Sequence, residues 1–561
     1  MLCARPDDER FVFMRLLRLR HPLRGVALLA SVLAVGAMVL IVSSTRSADA
    51  APTAVACAPG TDVQTTDGPV CGIVSSGVNE WLGIPYAAPP VGALRWKPPQ
   101  APTPWTSTLE ATQFGNQCIQ VSGGSEDCLY LNVWRPADDS TNLPVMVHIH
   151  GGGFFNGSGN GDNTLLATTG HEVIVSMNYR LNIFGFLADK ALGSNSGDYG
   201  LQDQQAALRW VQNNIPAFGG DPHTVTIFGE SAGASSVCDQ IASPTAKGLF
   251  ERGISTSGEY NTLLGTPEQA PRVPEDLESQ DCKSALPTQA QADAAGRNFA
   301  AAVGCGTGNA AAVTACLQAL PIATIEQAAW TPGDGYQYGG QGTVAPTING
   351  STLKMTLRQA LQSGKVNKVR VIAGTDRDED LVGTATTPAQ YTSLVTTQYA
   401  SHASQVLAKY PLSHFDSPGV AWRTVAADSD TVCPSLQTDA DLASRMPVYA
   451  YEIDDNDIPP YPTGGIAAGA SHVGAWFLNP VTPPLDADQQ VLQNQEVAYV
   501  TTFARTGNPT TNGAPPWPRF DPQTNPTELS LQPAGDTEPV TAAEVSAQHN
   551  CKFWDSIAPT P

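Results

Sequence analysis

A serine between two glycines constrains the fold of this chain more than any other feature. The motif FGESAG, residues 228–233, follows an alternating run at residues 224–227 that predicts a strand. It leads into a small-residue segment, residues 231–243, that predicts a helix. A strand, a sharp turn and a helix in succession expose a serine Oγ, and glycines are needed where a Cβ would clash. Ser231 is therefore a candidate nucleophile at the edge of a sheet.

A second glycine turn supports this interpretation, because G-x-S-x-G alone arises by chance about 0.3 times in such a chain. Residues 144–150 (PVMVHIH) predict a buried strand that runs into Gly151, Gly152 and Gly153. This HGGG arrangement is typical of an oxyanion hole. The expected donors are the backbone N–H groups of Gly152, Gly153 and Ala232. A flexible glycine turn is the alternative, but both turns follow predicted strands.

Residues 1–50 are predicted to be a secretory signal rather than part of the folded domain. A cluster of arginines precedes an apolar run at residues 25–42, and an Ala-Asp-Ala sequence at residues 48–50 ends the segment. The apolar run is long enough to span a membrane, so a retained N-terminal anchor is the alternative. Residues 51–561 are expected to be secreted.

The charge of the chain excludes two classes of partner. It carries 30 Lys and Arg against 52 Asp and Glu, a net charge of −22 at pH 7. Such acidity argues against binding to nucleic acid or to anionic membranes. The sequence contains no CxxC or HExxH pair, and we expect no metal and no cofactor. The expected partner is a small molecule, without stable membrane association after signal cleavage; the oligomeric state stays open.

The cysteines and the absence of linkers bound the domain organisation. Of 11 cysteines only Cys3 lies in the predicted signal, which leaves an even number and favours disulfides in an exported chain. Neither a Ser/Gly-rich linker nor an internal repeat divides residues 51–561, which predicts one large catalytic domain with long insertions. Residues 258–345 are Ala-rich and loop-like, and they are predicted to form a cap or insertion.

Several long blocks resemble the type-B carboxylesterase family, the α/β-hydrolases that include cholinesterases and microbial esterases and lipases. The blocks are WLGIPYAAPPVGALRWKPP (81–99), SEDCLYLNVWRP (125–136), NYRLNIFGFL (178–187), the segment 200–236 that contains the serine, FARTGNP (503–509) and WPRFDP (517–522). They follow the order of the family over nearly the whole mature length. The resemblance implies an α/β-hydrolase fold, with a large, mostly parallel central sheet flanked by helices and long insertions.

The resemblance also implies the catalytic acid, which follows the serine in this fold. Residues 369–380 (VRVIAGTDRDED) predict a strand that ends in an acidic loop. Within it, GTDRDE resembles the family's G-x-x-x-D-E segment, which implies Glu379 as the acid. Asp380 stands where the family usually has glycine. A merely solvated acidic loop is the alternative.

The base is sought among the histidines that follow the acid: His402, His414, His472 and His549. Residues 448–454 predict a late strand, and GASH at residues 469–472 resembles the family's late histidine block. This implies His472 as the base. Ala475 stands where many relatives carry an acidic residue. A loop histidine without a catalytic role is the alternative.

The same matching implies supporting residues around this triad. Glu230, beside the nucleophile, and Ser257 would steady the side chains of Glu379 and His472. Two structural ion pairs are implied, Arg95 with Glu126 and Arg180 with Asp221. Two disulfides resemble family pairs, Cys118–Cys128 and Cys305–Cys316. The other cysteines leave their pairing open, and Cys57–Cys71, Cys238–Cys282 and Cys433–Cys551 would complete an even set.

These residues predict a secreted serine carboxylic-ester hydrolase that acts through an acyl-enzyme on small uncharged esters. A non-catalytic adhesion protein is an alternative, since the family includes members that have lost the serine. Amide or thioester hydrolysis by the same residues is also open. The segment between Cys118 and Cys128 is short and lacks an aromatic, which disfavours both choline esters and a large apolar flap. A lipase whose lid is the 258–345 insertion is the remaining alternative.

Overall fold

The architecture is built on a long, mostly parallel β-sheet. The computed structural model describes residues 56–258, 282, 286–329, 346–378, 385–455 and 485–557. The strands are β1 (Val63–Gln64), β2 (Pro69–Cys71), β3 (Ile73–Ser75), β4 (Val78–Pro85), β5 (Leu109–Glu110), β6 (Tyr130–Pro136), β7 (Leu143–Ile149), β8 (Val173–Met177), β9 (Gly220–Glu230), β10 (Arg252–Thr256), β11 (Arg370–Asp376), β12 (Val448–Ile453), β13 (Thr527–Leu531) and β14 (Glu538–Thr541). All these described residues belong to one compact unit, Ala54–Pro561.

Eleven of the described strands form the central sheet, in the order β14-β13-β12-β11-β10-β9-β7-β8-β6-β4-β3. The strands from β8 through β7 and β9 to β13 are parallel, and both edges are antiparallel. Every residue of β8 is buried, as expected for a parallel strand that is covered on both faces. The small strands β1, β2 and β5 form a separate sheet.

Helices cover the two faces of the sheet. They are α1 (Thr164–Gly170), α2 (Asn182–Phe186), α3 (Tyr199–Asn214), α4 (Ala232–Ala242), α5 (Gln289–Ala302), α6 (Ala310–Ala319), α7 (Ile322–Ala329), α8 (Leu357–Ser363), α9 (Pro388–Tyr399), α10 (Ala403–Lys409), α11 (Pro418–Ala427), α12 (Cys433–Ala443), α13 (Ala487–Thr506), α14 (Ala542–Gln548) and α15 (Cys551–Ile557). None within the described ranges is long and apolar enough to cross a membrane. The predicted α/β class is confirmed.

Alternation along β7 explains the two cores. Val145 and Val147 pack in the cluster that contains Val237 of α4, whereas Met146 packs in the cluster that contains Phe503 of α13. Successive strand residues point to opposite faces, so an unbroken apolar strand supplies both layers. Burying one such side chain stabilises the fold by about 1.5–3 kcal/mol relative to exposure.

The described part of the 258–345 insertion is helical rather than loop-like. It forms α5, α6 and α7, and α5 begins at a capping box in which Thr288 and Gln291 satisfy each other's backbone N–H groups. The Ala-rich composition that suggested a loop also favours helix. The sequence prediction of irregular structure was wrong for these residues.

Five disulfides tie the described residues together. They are Cys57–Cys71, Cys118–Cys128, Cys238–Cys282, Cys305–Cys316 and Cys433–Cys551. These are the same pairs as those named from the sequence. Their number suits an oxidising compartment.

One of the two predicted ion pairs is present and the other is wrong. Arg95 Nε lies 2.6 Å from Glu126 Oε1, and both side chains are buried. Arg180 instead pairs with Asp203 of α3, with Nε–Oδ2 at 2.7 Å. Arg180 follows the carboxyl end of β8, whereas Asp221 lies near the amino end of β9, at the opposite edge of the sheet. Asp203 is fully buried and close, so it neutralises the buried guanidinium.

Candidate active site

Ser231 occupies a strained turn between a strand and a helix. β9 ends at Glu230, and α4 begins at Ala232. Ser231 itself has φ 54° and ψ −124°, a backbone conformation that residues other than glycine rarely adopt. Its N–H donates to the carbonyl of Thr256 on β10 at 3.0 Å, which fixes the strained residue to the neighbouring strand. The predicted strand, turn and helix are therefore confirmed.

The glycines on either side of the serine are required by close packing. A Cβ added to Gly229 would lie 2.5 Å from the carbonyl oxygen of Ile149, and one added to Gly233 would clash with the same oxygen. β7 therefore passes directly beneath the turn. Larger residues would push the turn away from β7 and displace Ser231 from the edge of the sheet.

The glycine turn after β7 lies against the serine. A Cβ added to Gly151 would approach the Glu230 carboxylate at 2.7 Å and the Ser231 Cβ at 3.3 Å. Gly152 and Gly153 have φ of +100° and +63°, values that glycine adopts without strain. Gly152 and Gly153, two of the predicted oxyanion donors, therefore directly follow the residue that packs against Ser231. The third, Ala232, is the first residue of α4, where backbone N–H groups have no partner within the helix.

Buried hydrogen bonds hold this turn in place. The N–H groups of Phe155 and Asn156 donate to the Gly152 carbonyl at 3.1 and 2.9 Å. The hydroxyl of Tyr179 donates to the His150 carbonyl at 2.8 Å, and the two rings stack with centroids 4.3 Å apart. These contacts hold the glycine segment in one conformation, and such pre-organisation is what an oxyanion hole requires.

Glu230 and Ser257 occupy neighbouring strand ends. Glu230 pairs in register with Thr256, the residue before Ser257. Burial and the charge of Glu230 raise the pKa of Tyr179. The Glu230 carboxylate is therefore close to Tyr179, whose hydroxyl holds the residue before the glycine turn. Ser257 is buried, and its Oγ accepts a hydrogen bond from the N–H of Asp376 at 3.3 Å. Ser257 therefore joins the nucleophile's edge of the sheet to the end of β11.

The predicted acid and base, Glu379 and His472, lie outside the described residues. The strands before them are described, and β11 ends at Asp376. β9, β10, β11 and β12 are adjacent and parallel, so their carboxyl ends share one edge of the sheet. Asp378, the nearest described neighbour of Glu379, is held by Arg377, with Nε–Oδ2 at 2.6 Å.

The loop closed by Cys118–Cys128 is fastened to the glycine turn. The side chain of Gln120 donates to the Gly157 carbonyl and accepts from the Gly157 N–H, both at 3.0 Å. Asn182 Nδ2 donates to the carbonyl of Ile119 at 2.6 Å. The loop thus forms a fixed wall beside residues 151–157.

The helices of the insertion are fastened as well. Arg95, besides its pairing with Glu126, donates from Nη1 to the carbonyl of Leu320 at 2.7 Å, just after α6. Thr314 donates to the carbonyl of Ala191 at 2.7 Å. Phe299 and Leu317 pack in one apolar cluster with Phe155. Within residues 286–329, the insertion is therefore bound to the body of the protein.

The structure also brings together residues that the sequence reasoning missed. His549 Nδ1 lies 2.5 Å from Asp428 Oδ1, and its Nε2 lies 2.9 Å from Glu452 Oε1. The three side chains are buried and come from separate parts of the chain. Neither they nor any other group of three such side chains among the described residues is arranged to hold a metal ion.

Comparisons with known proteins agree with this geometry. The sequence model of the carboxylesterase family matches residues 59–554. Acetylcholinesterase from Bungarus fasciatus is 30% identical over 568 residues, which cover 91% of this chain and 89% of that protein. Pyrethroid hydrolase Ces2a from Mus musculus is 30% identical over 532 residues, which cover 86% and 88%.

A bacterial relative and a solved structure complete the comparison. Para-nitrobenzyl esterase from Bacillus subtilis (strain 168) is 48% identical over 223 residues, 37% of this chain and 45% of that protein, so this match spans less than half of the relative. A solved PNB esterase superposes with a TM-score of 0.69 and 29% identity, over 88% of this chain and 99% of the other. The chain therefore belongs to the carboxylesterase family, and it is a carboxylic ester hydrolase with the α/β-hydrolase fold.

Proposed function

We propose that the protein is a secreted serine esterase that works through an acyl-enzyme. Ser231 attacks the ester carbonyl, and His472 takes the serine proton and gives it to the leaving alcohol. Glu379 orients His472 and stabilises its charged form. The N–H groups of Gly152, Gly153 and Ala232 bind the oxyanion, and water then releases the acid by the reverse sequence. Glu230 and Ser257 position the acid and the base.

The observation that carries this proposal is the strained conformation of Ser231 against the glycine turn. A φ of 54° in a serine costs on the order of 1–3 kcal/mol, and such strain persists where surrounding contacts enforce it. Here the enforcing contacts come from β7, β10 and the turn that starts at Gly151. A serine that served only as a helix cap would not need this conformation.

The proposed substrates are small uncharged esters with acyl chains of roughly two to six carbons, where each buried CH₂ adds up to about 0.8 kcal/mol. The hydrogen bonds that fix the Cys118–Cys128 loop support a substrate pocket whose entrance is open without movement of this loop. The described insertion helices support the same conclusion because they are bound to the body of the protein. The five disulfides support secretion.

The nucleophile is tested with Ser231→Ala. The variant is expected to lose hydrolysis of p-nitrophenyl butyrate and covalent labelling by a fluorophosphonate, with an unchanged melting temperature. Ser235→Ala is a matched control on α4, since Ser235 Oγ donates only to the Gly258 carbonyl in the described structure. Retained turnover in Ser231→Ala would contradict the assignment.

The acid is tested by comparing Glu379→Gln with Asp378→Asn. Glu379→Gln is expected to reduce kcat by at least about 10³, since the imidazole loses its charged partner. Asp378→Asn breaks an ion pair with Arg377 and is expected to alter stability more than kcat. If Asp378→Asn is the inactive variant, the acid is Asp378.

The absence of a lid is tested with tributyrin across its solubility limit. The rate is expected to saturate with dissolved monomer and to fall for triolein. A sharp rise above the solubility limit would mean that a lid exists and that the enzyme is a lipase.

A further inference from the structure

A wide groove lies at the edge of the sheet opposite to Ser231. Its volume is about 1,100 Å³, and its lining includes Phe250, Val369 and Met446, which lie just before the amino ends of β10, β11 and β12. Ser231 follows the carboxyl end of β9, which is parallel to these strands. A ligand in this groove would therefore leave the catalytic edge uncovered.

The groove is strongly cationic in a strongly acidic protein. It contains four of the nine lysines of the chain, whereas the chain as a whole has a net charge of −22. The single acidic residue among its described lining is Glu251, whose Oε2 already accepts the N–H of Val225 at 3.0 Å. The cations that line it are Lys247, Lys354, Lys365, Lys368, Arg370 and Arg445.

The lysines of the groove are exposed, and within the described part of the chain none has a carboxylate within ion-pairing distance. Among the described residues the lysines lack such partners, although the chain contains 52 acidic residues. Exposed like charges that line one groove create a positive potential, which an anion bound between them lowers. The local positive potential therefore points to an anionic ligand.

The loop that carries two of these lysines is fixed. Asn367 donates from Nδ2 to the carbonyls of Gln240 and Ser243 at 2.9 and 2.8 Å, and its N–H donates to the carbonyl of Ile241 at 2.9 Å. These three bonds satisfy carbonyl groups at the end of α4. Lys365 and Lys368, on either side of Asn367, thus extend from a rigid backbone.

A second anchor fixes the end of α8, which leads into this loop. Arg445 donates from Nε to the carbonyl of Leu361 at 2.6 Å and from Nη2 to that of Gln362 at 3.0 Å. α8 then ends at Gly364 in the left-handed conformation, and the N–H of Lys365 donates to the carbonyl of Ala360. A site formed before its ligand arrives loses less entropy on binding.

Apolar side chains lie between the cations, among them Met355, Val366 and Pro447. A polymer of sugar rings offers apolar C–H faces between its charged groups, whereas a polyphosphate chain offers none. Phe250 is the lone aromatic residue in the described lining, and it is buried, so bases have no stacking platform. We propose that the groove binds an acidic polysaccharide, which holds the enzyme by the face opposite to its catalytic edge.

The test measures binding of the full-length mature protein to immobilised polygalacturonate at 50–300 mM NaCl, with neutral dextran as the blank. The double variant Lys365→Gln/Lys368→Gln is compared with Lys409→Gln/Lys552→Gln, which removes the same charge from exposed lysines elsewhere. The groove variant is expected to bind about tenfold more weakly, with a salt dependence shallower by about one unit per lysine. The control variant is expected to stay within about twofold of wild type.

Hydrolysis of a soluble ester is expected to be unchanged in all these variants, and Lys365→Arg/Lys368→Arg is expected to retain binding. No binding by the wild-type protein would overturn the proposal. Equal losses in the groove and control variants would also overturn it, because binding would then follow net charge alone. Tighter binding to polyphosphate than to polygalacturonate would refute the polysaccharide assignment.

Discussion

The surroundings of two buried histidines shift their pKa values in opposite directions. His150, beside the glycine turn that follows β7, and His549, near the C-terminus, are 4% and 3% exposed. Burial lowers the pKa of His150 to about 4, although the hydrogen bond between Nδ1 and the Gly151 carbonyl acts to raise it. Burial would lower the pKa of His549 too, but the hydrogen bond to Asp428 and the ion pair with Glu452 outweigh it and raise the pKa to about 10.

The comparison shows that partners, rather than exposure, decide the charge of a buried imidazole. His150 has a carbonyl and the ring of Tyr179 around it, and neither compensates a positive charge fully. It is therefore neutral near pH 7 and does not add a fixed cation to the glycine turn that follows β7. His549 is charged at the same pH because two carboxylates flank its ring.

The charged site also lies close to the loop that leads to the proposed acid. Burial raises the pKa of Asp378. The charge of Arg377 beside it and the charge of His549 both act to lower that pKa. Asp378 immediately precedes Glu379 in the sequence. The C-terminal histidine therefore contributes to the electrostatic surroundings of Asp378, the residue before the proposed acid.

The largest expected effect comes from breaking the charged site with Asp428→Asn. Asp428 is fully buried and also accepts the hydroxyl of Tyr410 at 2.6 Å. The substitution leaves His549 with less compensation, and removing one partner of a buried pair costs about 3–5 kcal/mol. We expect a loss of about 3 kcal/mol at pH 7 in urea unfolding.

The pH dependence of that loss identifies its cause. The folded pKa of His549 lies above its unfolded value near 6.5. The stabilisation is therefore fully present below about pH 6.5 and is lost as the pH rises through about 10. Asp441→Asn is the matched control, because Asp441 pairs with Arg358 at a partly exposed site at 3.1 Å. It is expected to cost less than 1 kcal/mol; equal losses would refute the contrast.

The two histidine sites differ in how far the sequence could predict them. The turns that contain Ser231 and Gly152 were predicted because each is a contiguous pattern, in which the strand, the glycines and the helix follow one another. His150 belongs to such a pattern. His549 appeared only as one of four late histidines, since its partners Asp428 and Glu452 come from distant segments that no local motif connects.

The same reasoning explains the wrong partner of Arg180. The family resemblance implied a pairing with Asp221, but which carboxylate reaches a buried guanidinium depends on the edge of the sheet at which each residue lies. β9 runs from Gly220 to Glu230, so Asp221 and Ser231 are separated by the length of the strand. Asp203 on α3 lies on the correct side, which only the assembled fold shows.

The second expected effect comes from the neutral site, through His150→Phe. The folded pKa of His150 lies below its unfolded value, so its contribution is present above about pH 6.5 and is lost as the pH falls through about 4. Phenylalanine preserves the stacking on Tyr179 and cannot titrate. We expect the variant to lose on the order of 2 kcal/mol less than wild type between pH 6.5 and 4.

Urea unfolding at both pH values measures this difference. His171, an exposed histidine whose Nε2 lies 3.0 Å from Ser140 Oγ, provides the control variant His171→Phe. It is expected to follow the wild-type acid profile. Identical acid losses in wild type and His150→Phe would show that His150 is not the titrating group.

The smallest effect concerns a carboxyl group at the edge of the charged site. Glu528 on β13 is 2% exposed, and burial together with the charge of Glu452 raises its pKa to about 8. A raised folded pKa means that its contribution is present below the unfolded pKa near 4.3 and is lost as the pH rises through about 8.

At pH 9 Glu528 is therefore a buried anion that repels Glu452, with His549 already engaged by two carboxylates. Glu528→Gln removes that anion, so we expect a gain of about 1 kcal/mol at pH 9 and little change at pH 5. A loss at pH 9 would mean that the Glu528 anion, rather than Glu452 and Asp428 alone, compensates His549.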